Sequence, residues 1–488
     1  MLRLLLAAAL LLVMWGALAF GAVYPWAWRP LVTGAAVVGL AALIVGRRHG
    51  ARAHDGAFLL ALAAVAAGTL LQLVPLPRGV RMGISPATER VLLEQDLEYA
   101  ITVRMSGLSP DGVTPLVETA VPPRPLSINP TASARGLLLL TGFTLFFAGL
   151  VRLFNLTGVR RPAQWITIFG FVLALIGIIQ KATLGDHAFG GMRIYGFWRP
   201  NSLLTTPFGP FVNKNHFAGW MLMGLPLAVG LGLGLAERAM HRYGRGWRDV
   251  LRWLSSPDGG RLQLVTLSVF VMGLSLLMTA SRSGAGGFLF AMALAGVVVR
   301  RRFRQQARTL AAVGLVATLI VVFLWADVNL AARFSGQDES IRLRQRIWSD
   351  SLRVVRDFPL TGTGLNTFGT AMLSYQTGSR ALHFQEAHNE LLQIVVEGGV
   401  LLAVPAFAAM VLLVRGIRRR FAAAQDDTLT YWVRVGATVG ISAIGLQSLV
   451  EFSLQMPGNA ALFAVLLAIA LHEPPDRSAR AHSTMSRS

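Results

Sequence analysis

Long apolar runs, separated by short polar stretches dense in arginine, repeat along most of the chain. A helix needs about 20 mostly apolar residues to cross a hydrocarbon core of about 30 Å. Twelve stretches approach that need, near residues 4–23, 31–46, 57–74, 134–151, 163–180, 217–235, 262–280, 284–299, 309–326, 391–414, 432–450 and 459–472. In lipid every backbone polar group must be paired inside the protein, so continuous runs predict helices, whereas a barrel would show short alternating segments. The expected fold class is therefore all-α: a polytopic integral membrane protein of about 12 transmembrane helices, with two long loops on one face.

Basic residues orient the bundle, because Lys and Arg concentrate on the cytoplasmic side. With the N-terminus inside, the inner loops carry Arg47, Arg48, Arg152, Arg160 and Arg161, then Arg238 to Arg261, Arg300 to Arg308 and Arg415 to Arg420. An even span count puts both termini in the cytoplasm. Met1-Leu2-Arg3, the apolar run after it and Ala17-Leu18-Ala19 look like a signal peptide, but the run exceeds the usual 7–15 residues, so a retained helix is expected. Three segments follow: 1–133, three helices plus a proline-rich outer loop; 134–472, a transmembrane core with a large outer loop at 327–390; and 473–488, a cytoplasmic tail.

Composition agrees. Of 488 residues 54% are hydrophobic and 14% charged, against roughly 25% charged in an average soluble domain. The net charge of +21 reads as topology, and no nucleic-acid partner is expected. The chain has no cysteine, which excludes disulfides and thiolate metal sites.

Chemistry is sought where polar residues collect beside lipid. The loop from Pro75 to Pro130 is rich in proline, and Ala87 to Tyr99 has the spacing of an amphipathic helix, with Val91, Leu92 and Gln95 on one face; a surface cap on the bundle is expected. Ile341 to Phe358 reads as a second amphipathic helix, ended by Pro359. Its arginines, Arg342, Arg344, Arg346, Arg353 and Arg356, suit either anionic headgroups or an anionic substrate. Gly362-Thr-Gly364 reads as a tight turn.

Three further sites sit at helix mouths. Ser281-Arg282-Ser283-Gly284 joins two apolar runs with almost no loop. An arginine so placed needs an anion or water, and its planar fork suits a phosphate. His388, in Ala387-His-Asn-Glu390, has the chemistry of a general base or of a group that orients an acceptor hydroxyl. Glu397, inside the next span, needs a partner that the sequence does not name. Asn213, Lys214, Asn215 and His216 open the sixth span. Asn215 is placed to cap it, and Lys214, one of two lysines in the chain, to meet a phosphate as a point charge. No metal-ligand grouping, Walker loop or Gly-x-Ser-x-Gly elbow occurs, so neither metal nor cofactor is expected.

These pieces, in this order, resemble the bacterial O-antigen ligase and polymerase family of membrane glycan transferases. The resemblance rests on Pro125-Leu-Ser-Ile-Asn-Pro130, Phe211-Val-Asn-Lys-Asn-His-Phe-Ala218, Ser281-Arg-Ser-Gly284 and Arg346-Ile-Trp348 leading to Phe358-Pro-Leu-Thr-Gly-Thr-Gly364. It continues through His388-Asn-Glu-Leu391, Glu397-Gly398 and Ser448-Leu-Val-Glu-Phe452 with Pro457 and Asn459. It implies a metal-independent, inverting transfer of a glycan from undecaprenyl diphosphate, at the periplasmic face of the inner membrane, to another lipid-linked repeat, to lipid A-core or to another hydroxyl. By motif match Arg282 is the diphosphate arginine and His388 the acceptor-side histidine. The second cation is open between Arg193, Arg199 and Lys214, with Asn215 and Arg346 as further substrate contacts. Glu451 stands where the family has aspartate. Membrane lipids and other glycan-assembly proteins are the remaining expected partners. A transporter or flippase of envelope glycans is the competing expectation, since twelve spans also suit a carrier.

Overall fold

The computed structural model describes residues 1–49, 56–105, 121–184, 193–200, 206–243, 255–302, 337–377, 382–423 and 427–473. These form α1 (Leu2–Leu18), α2 (Pro25–Arg48), α3 (Gly56–Leu73), α4 (Arg78–Ile84), α5 (Pro86–Gln95), α6 (Leu97–Met105), α7 (Pro130–Thr157) and α8 (Arg160–Leu184). Next come α9 (Lys214–Tyr243), α10 (Pro257–Met278), α11 (Arg282–Arg302), α12 (Gln337–Asp357), α13 (Phe368–Tyr375), α14 (Glu390–Ala422), α15 (Thr428–Gln447) and α16 (Pro457–Leu471). Among the described residues there is no strand, only isolated bridges such as Leu76 with Arg124.

Among the described residues nine helices are long and apolar enough to cross a membrane, and α1 and α16 are shorter apolar helices. These eleven correspond to all the expected spans except that at 309–326, which lies outside the described residues. The chain signals its own boundaries. Asn129, Ser256 and Asp427 accept backbone N–H groups at the starts of α7, α10 and α15, and proline opens α2, α7, α10 and α16. The 15 residues of α16 extend only about 22 Å, and nearly all are buried. A helix walled by protein on every side can be apolar all round.

Small residues let the helices touch. A Cβ added to Gly149 of α7 would lie 2.3 Å from the carbonyl oxygen of Gly39 in α2, the close backbone approach typical of packing in lipid. One end of the bundle is tied by arginines: Arg152 donates to the Leu43 carbonyl, and ion pairs join Arg302 with Glu237, Arg238 with Asp427, and Arg420 with Glu473. The opposite end carries the two long loops.

Those loops form the expected cap. The first amphipathic stretch is interrupted at Asp96, giving α5 and α6 in place of one helix. A second hydrophobic core, separate from the main one, joins Ala87, Val91 and Ile128 to Ile347, Val354, Phe358, Phe368 and Met372. Along α12 and at its end, Ile347, Ser351, Val354 and Phe358 are buried, and Val355 only partly so.

Candidate active site

Three helix mouths on the loop-bearing end are shaped by capping. Asn213, not Asn215, caps α9: its side chain accepts the Asn215 N–H at 2.9 Å, and its carbonyl accepts the N–H groups of His216 and Phe217. The Asn215 side chain is thereby free for other work. At α11, Ala280 turns the chain with a φ of 51° and Ser281 Oγ accepts the Gly284 N–H at 3.1 Å. Arg282 is the first residue of that helix, with its side chain exposed. At α14, Asn389 accepts the Leu392 N–H at 3.0 Å, and His388 before it also has a positive φ, 51°. Such a conformation is costly for a residue other than glycine and is held by its surroundings.

These mouths converge on Glu451, in the connection between α15 and α16. Its side chain is 1% exposed. Oε1 accepts hydrogen bonds from Asn215 Nδ2 at 2.8 Å and Arg344 Nη2 at 2.5 Å. Oε2 faces His388 Nδ1 at 3.5 Å, and neither of those two atoms has a hydrogen-bond partner. The Phe452 ring lies between two imidazoles, 4.8 Å from His216 and 4.8 Å from His388, edge to face with both. Burial pushes the Glu451 carboxyl up, but the adjoining His388 imidazole and the charge of Arg344 outweigh it, so it is held below the usual carboxylate range. An ionised Glu451 therefore faces one nitrogen of His388, while the His388 side chain remains 30% exposed.

Gln447, buried at the end of α15, spans the remaining gap. Its amide donates to the Asn215 carbonyl and to Ser283 Oγ, both at 3.3 Å. Ser283 in turn lies 3.2 Å from Ser281 Oγ. The turn bearing Arg282 is thus fastened beside the start of α9, where Lys214 is the first helical residue. Helix N-termini favour anions through their unpaired N–H groups and dipole, and here two of them adjoin, with Lys214 and Arg282 as their opening residues.

Of the residues expected from sequence, Asn215 and His388 meet at Glu451, and Arg282 and Lys214 open the neighbouring helices. Arg346 is exposed. Arg344 makes the contact instead; two residues turn a helix by about 200°, so the two side chains leave α12 on opposite sides. Arg193 and Arg199 are exposed and flank the turn Ile194–Trp198. That turn rests on the corner between α1 and α2, where Tyr195 Oη donates to the Leu18 carbonyl at 2.6 Å and Trp198 Nε1 to Tyr24 Oη at 3.3 Å. The sequence marks Glu451 only by its motif position and does not single out Gln447 or favour Arg344 over Arg346. The motif Ser448 to Phe452 was the available signal for Glu451, and nothing local marked Gln447.

Glu397 also finds its partners. Its carboxylate accepts the N–H groups of Asn366 at 2.6 Å and Phe368 at 3.2 Å, and the amide of Gln393 at 3.0 Å. The turn around Gly362 to Gly364 packs into a break of α14 at Gly399, which has a φ of 52°. Thr363 N–H donates to the Val396 carbonyl, Gly364 N–H to that of Glu397, and Ile128 N–H to that of Thr363. A Cβ on Gly362 would lie 2.3 Å from the Glu397 carbonyl, so the Gly-x-Gly signal is one of close packing. Glu386, just before His388, is pushed up to about 8 by burial, with the charges of Glu397 and Glu390 adding to it and a hydrogen bond from Gln393 opposing it.

Among the described residues no three His, Cys, Asp or Glu side chains are grouped to hold a metal ion. A search among curated proteins finds no match. Residues 267–407, which include Arg282, Arg344, His388 and Glu397, match the family model described as O-antigen ligase. This stretch of the many-span helical chain is therefore similar to the O-antigen ligase family of membrane glycan ligases and polymerases.

Proposed function

We propose that the protein transfers an oligo- or polysaccharide from undecaprenyl diphosphate to a hydroxyl acceptor at the periplasmic face of the bacterial inner membrane. The observation that carries this reading is the convergence of Asn215, Arg344 and His388 on the buried carboxylate of Glu451, beside the helix start that bears Arg282.

In this reading the diphosphate lies at the mouths of α9 and α11, against Arg282 and Lys214, with Arg193, Arg199 and Arg346 further out along the donor or acceptor path. As the bond from the anomeric carbon to the diphosphate breaks, negative charge grows on the leaving group, and fixed cations and helix N-termini stabilise it. His388 takes the acceptor hydroxyl proton on Nε2 while the acceptor oxygen bonds to the anomeric carbon from the opposite side, inverting it. Glu451 holds Nδ1 and stabilises the imidazolium, the role an orienting carboxylate plays behind a histidine base. Proton and lipid diphosphate leave separately, and the step calls for no metal ion.

The test is purified protein with undecaprenyl-diphosphate-linked repeat units as sole substrate, read on a gel. A ladder of longer glycans identifies a polymerase. Product only after lipid A-core is added identifies a ligase. No product with either acceptor counts against transfer.

The carrier reading draws on one feature, the break in α14, since carriers bind solutes at interrupted helices. Here the freed backbone is taken up by the chain itself: Val400 and Leu401 N–H donate to the carbonyls of Pro359 and Leu360. Solute uptake lost in Arg282→Ala with glycan transfer intact would favour the carrier.

A further inference from the structure

A second polar cleft, of about 400 Å³, opens on the cap between the two long loops. That volume falls in the range of small-molecule sites. Arg90 and Glu94 reach it from α5, Arg353, Arg356 and Asp357 from the end of α12, and Ser374 and Tyr375 from α13. Most of these groups satisfy one another. Arg90 pairs with Asp357, and Tyr375 Oη donates to the same carboxylate at 2.5 Å. Ser374 Oγ donates to Glu94 at 2.8 Å, and Arg353 is held by Asp350 at 2.6 Å and the Tyr375 carbonyl at 2.7 Å.

Arg356 is the remainder. It is exposed, and among the described residues no carboxylate lies within ion-pair distance of it. The lining holds three guanidiniums, Arg90, Arg353 and Arg356, against the two carboxylates of Asp357 and Glu94. Hydroxyl, carboxylate and guanidinium groups in one recess match a ligand dense in hydroxyls, and an unmatched guanidinium suits a carboxylate bidentately. The lining is wrong for an alkyl chain.

Position adds a second argument. Arg344 of α12 contacts Glu451. Arg353 and Arg356 lie nine and twelve residues further along the same helix, about 14 and 18 Å away at the helical rise. A linear glycan with its reacting end at Glu451 reaches the cleft within a few sugar units.

We propose that the cleft between α5, α12 and α13 is a glycan-chain subsite for an acidic saccharide, whose carboxylate sits on Arg356. Its purpose rests on the transferase reading, but its occupancy does not, so the test measures binding. Detergent-purified full-length protein is titrated calorimetrically with hexagalacturonate and, separately, with maltohexaose. The acidic hexamer binds at least about 10-fold more tightly. Arg356→Gln lowers its affinity about 10-fold, the value of one charge-assisted contact, and removes the preference over maltohexaose. Ser374→Trp, a change at an exposed position, fills the cleft and abolishes both. Thermal melting of each variant checks that the fold is intact. Equal affinity for the two hexamers, or affinities unchanged in both variants, overturns the subsite. Binding in this pattern by a protein that transfers no glycan keeps the subsite and removes the transferase reading; transfer without such binding does the reverse.

Discussion

His388 Nδ1 stands 3.5 Å from Glu451 Oε2, and the two residues come from opposite flanks of α14 and α15. The carboxylate is anchored from the other side by Asn215 and Arg344, so its orientation does not depend on the histidine.

Glu451→Gln tests that arrangement. The amide keeps the size and loses the charge that stabilises an imidazolium. Transfer is expected to fall by about 10² to 10⁴, with Glu451→Asp retaining more activity than Gln. Initial rates beside melting curves separate this from unfolding; an amide variant of full activity removes Glu451 from the mechanism.

If Arg282 is the cation that stabilises the leaving group, as proposed, its loss is expected to cost about 10² to 10³ in rate. Arg282→Ala should show that loss and Arg282→Lys a smaller one. The variant proteins assayed at saturating donor distinguish lost catalysis from lost binding.

The two arginines of α12 should separate. Arg344→Ala leaves the buried Glu451 with one partner fewer and is expected to lower transfer at least 10-fold, as loss of a charge-assisted hydrogen bond does. Arg346→Ala, at an exposed position, should stay within about 0.5 kcal/mol of the parent in stability and lower transfer less than Arg344→Ala does.

Caps and contacts separate at the start of α9. Asn213→Ala loses the cap and should cost about 1 kcal/mol of stability, visible in denaturation. Asn215→Leu leaves the cap in place and should appear chiefly in the transfer rate.

Glu386 predicts a pH dependence. Its folded carboxyl holds a proton to about pH 8, whereas an unfolded glutamate releases it near 4.3. The folded state therefore binds more protons between those values, and stability falls as pH rises through that window. Glu386→Gln should flatten this part of the melting-temperature profile, gaining most over the parent above pH 8. Glu451 has the opposite sign. Its lowered value contributes stability that is complete at neutral pH and lost as pH falls below the ordinary glutamate range.

Apolar runs exposed most of the fold to sequence reading, because lipid demands length and continuity from any spanning helix. Arg282 and His388 stand out in the sequence because each is a polar residue at a helix mouth where hydrophobicity stops abruptly. The contacts of Glu451 do not. Glu451 meets Asn215 across 236 positions and Arg344 across 107, and no local pattern encodes such pairings. Arg344 and Arg346 differ only by helical register, which became fixed when Ile347, Val354 and Phe358 entered the cap core. Asn213 and Asn215 are equally good caps by type, and only the backbone geometry distinguishes them.

The turn at Gly362 to Gly364 is spliced into α14 by main-chain hydrogen bonds, with Gln72 of α3 clamping it by donating to the carbonyls of Thr361 and Glu397. A segment joined to a span in this way works as a fixed roof beam rather than a hinged flap. If the proposed transfer takes place at Glu451, substrates would have to reach it from beneath this beam rather than by lifting it, and the spacing between the beam and the mouths of α9 and α11 would then limit how thick a glycan can enter.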